Sequence, residues 1–147
     1  MKAQQVHDAD GLRVYVAVFD KDDEAVEGLT RLATDERLGS ASLTAIGAFS
    51  AATVGYFDRE TSSYLEIPVD EQVEVLALTG DVAIADGEPK LHAHVVLGRR
   101  DGTTIGGHLL EGRVWPTLEV VVTETPGHLH RRTDPTTGLA LIDLAER

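Results

Sequence analysis

Three histidines, His92, His94 and His108, fall in one stretch of the chain, Leu91 to Gly112, read as LHAHVVLGRRDGTTIGGHLLEG. Neutral imidazole is the commonest protein ligand for transition metals. Three of them around an open fourth position make the ligand set of a catalytic zinc ion, which acidifies a bound water. The chain has no cysteine, so thiolate ligands and disulfides are excluded, and any such metal must be held by histidine and carboxylate. Glu119 and Glu111 are candidates for an added ligand or a general base. Glu119 and Arg113 are the candidate catalytic residues, as polar groups that could be aimed at a metal-bound substrate.

Whether the three rings meet depends on one turn. In a strand, residues two apart share a face and lie roughly 6.5 to 7 Å apart, so His92 and His94 point the same way. The alternation on both sides of Asp101-Gly102 predicts a hairpin. A two-residue loop would set His94 opposite Leu109 and turn His108 away. A three-residue loop, Arg100-Asp101-Gly102, with Gly102 left-handed in a bulge, sets His94 opposite His108. In that register Leu91, Ala93, Val95, Leu97, Ile105 and Leu109 share the apolar face. Val96, Gly98, Thr104, Gly106 and Leu110 then lie beside the histidines. Spacing alone leaves both registers open, and a strand histidine can equally be a hydrogen-bonded surface residue.

The hairpin needs a scaffold, and the rest of the chain supplies mostly strands. Leu12 to Phe19 alternates and predicts a first strand with a deeply buried face. Asp20, Asp22 and Asp23 predict a helix start, Val26, Leu29, Leu32 and Ala33 recur at helical spacing, and Gly39 is the expected C-cap. Ala41 to Asp58, with Gly47 and Gly55 inside it, predicts two strands with a bend or tight approach between them. Tyr64 to Val69 is a short strand that Pro68 places at an edge or end. Gln72 to Ala85 is a longer strand broken or bulged at Gly80, and Asp86-Gly87-Glu88-Pro89 is a turn into the hairpin. Trp115-Pro116 is expected to stop pairing locally. Leu118 to Val122 predicts a strand buried on both sides. After it, a polar loop with His128 and His130 at its surface, and the solvated pair Arg131-Arg132, leads to an apolar end segment, Leu139 to Leu144, that docks on the sheet. The expected core is about 12–123, with a tail over 124–147.

With 147 residues the chain has the length of one domain, able to bury roughly two-thirds of its unfolded surface. No apolar run reaches the roughly 18 to 20 residues that cross a bilayer, and MKAQQVHDADG lacks the apolar core of a signal peptide. A soluble, cytoplasmic protein is expected. The net charge of −12 repels polyphosphates, and only Arg99-Arg100 and Arg131-Arg132 are doubled, so direct nucleic-acid binding is disfavoured. Gly106-Gly107 lacks the setting of a phosphate loop, and no serine sits in a nucleophile elbow.

The stretches GAFSAATVGYFD, VEVLALTGDVA and above all LHAHVVLGRRDGTTIGGHLLEGRVWPTLEVVV resemble the plants-and-prokaryotes conserved (PPC) domain family, a family that carries a DNA-binding label. The resemblance spans Leu12 to Val122. It implies an α+β single domain, a largely antiparallel β-sheet flanked by helices, assembled as a homotrimer. It also implies a histidine cluster near a subunit boundary that holds zinc or another divalent metal, carried here onto His92, His94 and His108, and it favours the three-residue loop. The triad looks like the three-histidine zinc site of acetolactate decarboxylase. This makes a small carbonyl or oxyanionic molecule a candidate ligand or substrate. Plant members bear an Arg-Gly-Arg-Pro segment for the minor groove, which this sequence lacks. At their partner-contact motif this chain reads Glu71-Gln72-Val73-Glu74-Val75-Leu76, without the arginine and phenylalanine.

Overall fold

The computed structural model describes residues 1–144. Its strands are β1 (Lys2–Ala9), β2 (Leu12–Phe19), β3 (Ser40–Asp58), β4 (Ser63–Val69), β5 (Val73–Ala85), β6 (Glu88–Gly98), β7 (Thr104–Glu124), β8 (His130–Thr133) and β9 (Ala140–Asp143). One helix, α1 (Ala25–Asp35), packs on β6 and β7. The domain is therefore α+β and mostly antiparallel. The expected flanking helices reduce to this single one among the described residues.

β3, β5, β6 and β7 close a ring of antiparallel pairings: β3 with β5, β5 with β6, β6 with β7 and β7 back to β3. β2 extends the sheet from β7, and β1 from β2. The core fills the inside of this ring and the face under α1, with Phe19, Phe49, Leu78, Leu97, Leu118 and Val120 fully buried. Burying such side chains stabilises the fold by roughly 1.5–3 kcal/mol each. The outer face is the one that carries the histidines.

Several sequence expectations are corrected. Leu12–Phe19 is the second strand, because Lys2–Ala9 pairs with it across an Asp10-Gly11 turn whose residues have φ of 53° and 80°. The polar, wholly exposed β1 has no apolar alternation to announce it. In β2 the buried set is Tyr15, Ala17 and Phe19, while Val18 is exposed. The helix is capped by Glu24, whose carboxylate accepts from Val26 N and Glu27 N. Asp23 instead pairs with the amino terminus of Met1. At the other end Glu36 is the C-cap and Arg37 takes the left-handed position at φ 52°, which leaves Gly39 free to lead into β3.

Ser40–Asp58 is one strand. The close approach expected at its glycines is real: a Cβ on Gly47 would sit 2.3 Å from the Thr117 carbonyl oxygen. The bulge of β5 falls between Val75 and Ala77, and Gly80 stays in register opposite Leu43 and Ala93. Glu88 and Pro89 already belong to β6, so the turn is Asp86-Gly87 alone. β4 is an edge strand, paired only with β3 among the described strands. β7 runs through Trp115-Pro116 without ending, but its register against β3 slips there, from Gly47↔Leu118 to Phe49↔Val114. Leu118–Val122 is buried on one face only, since Val121 is 46% exposed.

The tail docks as a small hairpin, β8 with β9, held to the sheet by a parallel bridge from Ile84 to His130 and by Ile84 N donating to Leu129 O at 2.7 Å. Residues 145–147, the end of the expected tail, lie outside the described residues.

Candidate metal centre

The loop that decides the site has three residues. Arg99 N donates to Thr103 O at 2.9 Å, Gly102 N donates to Arg99 O at 3.0 Å, and Gly102 has φ 83°, a conformation glycine adopts without a Cβ penalty. Asp101 holds the loop by accepting from Thr103 N at 2.9 Å. The resulting register pairs His94 with His108. Ala93, Val95, Leu97 and Leu109 go to the core, as that register requires.

His92, His94 and His108 therefore converge, with ligand nitrogens all within 4.8 Å of one another and ring centroids 5.1 to 5.5 Å apart. A zinc ion holds nitrogens at roughly 2.0–2.1 Å, so its tetrahedral ligands stand about 3.4 Å apart. Side-chain rotations that draw the nitrogens together by up to about 1.4 Å close that gap, and His94, which is exposed, is free to move. The donor set fits a divalent transition metal with room for a further ligand.

Neighbouring side chains orient the rings. Asp81 lies directly across the β5–β6 ladder from His92, its Oδ2 3.6 Å from His92 Nδ1. Tyr64 stacks on His108 at 4.7 Å between centroids, its hydroxyl 3.5 Å from His108 Nδ1. A proton on His108 Nδ1, facing the Tyr64 oxygen, would leave its Nε2 lone pair for a metal, whereas His92 Nδ1 also meets the Arg131 guanidinium, which can only donate. Gly55 makes the Tyr64 contact possible, because a Cβ there would come 2.8 Å from the tyrosine ring.

Arg131, expected at a solvated surface, is the main surprise. Its side chain is only 6% exposed, pairs with Asp81, donates to Ala140 O at 2.8 Å and brings Nη2 to 3.4 Å from His92 Nδ1. Arg132 is solvated and faces Asp143. Neither Asp81 nor Arg131 was marked as a site residue by sequence. An aspartate inside the apolar run VLALTGDVAIA was a usable signal, whereas nothing local to Arg131 announces its partner fifty residues away. His130 begins β8 and is half-buried, while His128 stays in an exposed loop. Among the described residues, these two join no metal-binding cluster.

The polar candidates sit elsewhere in the chain. Glu119 is exposed and lines a groove with Ile46, Leu76 and Val121. Arg113 lines another with Asp22 and Glu24 and donates to Asp22 O at 3.3 Å. Glu111 is exposed opposite Thr53. The cavity that adjoins the triad, about 320 Å³, is lined instead by Tyr64, His92, His108 and the tail.

Burial, reinforced by the neighbouring His92 and His94, pushes His108 down to about 4, and burial with Arg131 lowers His92. Both are thus neutral at pH 7, the form that binds metals. For His108 the folded value lies below the unfolded one of 6.5, so the unfolded chain takes the proton first as pH falls. Its contribution to stability is complete above 6.5 and is lost between 6.5 and about 4. Thermal melts of metal-free protein at pH 7 and pH 5 are expected to show a smaller acid-induced drop for His108→Gln than for the parent. An equal drop would contradict this assignment.

A sequence profile of the Plants and Prokaryotes Conserved (PCC) domain matches residues 6–126. A PPC protein from Pyrococcus horikoshii is similar at 30% identity over 97% of this chain and 94% of that one, with a TM-score of 0.83. A metal-containing protein from Archaeoglobus fulgidus shares 32% identity over 88% of this chain and 91% of its own, with a TM-score of 0.80. A candidate DNA-binding protein from Ralstonia eutropha JMP134 shares 33% identity over 88% and 90%, with a TM-score of 0.82. No curated protein matches the chain. With most of its length covered by the profile, the chain belongs to the Plants and Prokaryotes Conserved domain family.

Proposed function

We propose that the protein holds one divalent transition metal, zinc in the first instance, on His92, His94 and His108, and works as a homotrimeric ligand- or partner-binding module. The observation that carries this reading is the convergence of three imidazoles on the outer face of one hairpin. The metal content of the Archaeoglobus fulgidus relative supports it. Support for self-association comes from the exposed side chains of Ile46, Leu76, Val96 and Val121, three of which, Ile46, Leu76 and Val121, line one apolar groove, an arrangement typical of a surface that is covered by a partner.

Metal analysis of protein purified without a nickel column tests the metal, and sizing by light scattering tests the trimer. About one zinc per chain is expected, either as purified or after zinc is added to stripped protein. No uptake would refute the metal reading, and a monomer at micromolar concentration would refute the trimer.

A second reading, a metal-dependent enzyme acting on a small carbonyl or oxyanionic substrate, draws support from the cavity that reaches His92 and His108. In that reading Glu119 or Arg113 would act from a neighbouring chain. DNA binding, suggested by the Ralstonia relative, is opposed by the charge of −12 and predicts a gel shift that weakens steeply with salt.

A further inference from the structure

The cavity beside the triad has walls of unlike chemistry. Tyr64, His92 and His108 form one side, Leu91, Leu139 and Leu141 line it with hydrocarbon, and Lys90 and Arg131 bring two cations. At about 320 Å³ it has the size of a small-molecule site at the lower end of the range. Arg131 is the informative member. Its guanidinium is almost fully buried, one nitrogen is taken by Ala140 O and another by Asp81, and its Nε is buried with no acceptor among the described residues. A buried donor without a partner is costly, and Asp81 is shared with His92. Among the described residues, cations thus outnumber carboxylates in this lining, a local reversal in a protein of net charge −12.

We propose that this cavity binds a small organic carboxylate, its anionic head directed to Arg131 and Lys90 and its apolar body against the three leucines. Inorganic phosphate fits less well, because a strongly hydrated dianion gains nothing from a leucine wall. Arginine and lysine supply the charge-assisted contacts a carboxylate needs. The inference rests on the metal reading only in that a metal on the triad would adjoin the same ligand. The contacts named are the chain's own.

The probe is isobutyrate, with neutral isobutyramide of the same shape as control, titrated into zinc-loaded and metal-free protein and followed by amide NMR. Isobutyrate is expected to shift the amides of residues 90–92 and 131–141 and to bind at least about tenfold more tightly than the amide. Arg131→Gln is expected to weaken it about tenfold or more, and the exposed Lys90→Gln about two- to fivefold. If Arg131→Gln fails to fold because Asp81 loses its partner, the pair Asp81→Asn with Arg131→Gln removes both charges and must show the same loss. Equal binding of isobutyramide, displacement by equimolar phosphate, or undiminished binding in a folded Arg131 variant would overturn the proposal. Zinc uptake without isobutyrate binding overturns it while leaving the metal reading intact. Isobutyrate binding at Arg131 in protein that takes up no zinc sustains it while refuting the metal.

Discussion

Replacing His94 with alanine is expected to abolish stoichiometric zinc uptake, an affinity loss of at least about 100-fold, and to leave the fold intact. His94 is exposed and packs across the ladder from Thr79 and His108, so its removal takes little from the core. Surface changes of this kind cost about 0.5 kcal/mol or less. Losing one of three ligands removes more than the 10–100-fold typical of an outer partner of a ligand. The two effects separate in one experiment. Zinc at 100 times its dissociation constant stabilises the native state by about 2.7 kcal/mol, which raises the melting temperature of a chain this size by roughly 8 °C. The parent should show that rise and His94→Ala should show none, while their metal-free melts agree. His108→Ala is the less clean variant, because that ring is half-buried against Tyr64.

Replacing Glu124 with alanine is expected to cost about 3 kcal/mol and to lower the melting temperature by roughly 9 °C, without altering zinc binding. Glu124 is 4% exposed at the end of β7. Its Oε1 accepts from Gly39 N at 2.9 Å, its Oε2 from Ser40 N at 3.1 Å, and Arg13 Nη2 stands 3.8 Å away. Truncation strands two buried N–H donors at the entry to β3 and leaves Arg13 with Tyr15 OH and the Glu36 carbonyl as acceptors. Glutamine keeps one acceptor oxygen and should recover part of the loss. A melt unchanged by Glu124→Ala would show that water satisfies these groups.

The two replacements show which parts of the molecule a sequence discloses. The hairpin was legible because two signals coincide there. Only the three-residue loop sends Leu91, Ala93, Val95, Leu97 and Leu109 to one face, and that same loop places three histidines on the other. Long strands were harder. Glycines such as Gly47 and Gly80 look like breaks, yet each serves a neighbouring backbone that passes too close for a Cβ. β1 was silent because a fully exposed edge strand has no buried face to imprint a period. Asp10-Gly11, a hairpin turn signal, was the clue that could have found it. Arg131, Asp81 and Glu124 were not legible as partners, since their pairing is made by the docking of distant segments and leaves no local pattern. For the same reason the histidine ligands could be named from sequence, but not the cationic and leucine-lined cavity beside them.

The central claim is that His92, His94 and His108 together bind a metal. A crystal structure of protein purified without added metal and then loaded with zinc, with anomalous data collected on both sides of the zinc edge, tests it directly. The expected result is one anomalous peak per chain, roughly 2.0–2.1 Å from one nitrogen of each of the three rings. A zinc-loaded crystal with no peak at the triad, or with zinc bound elsewhere while these imidazoles stay apart, would contradict it.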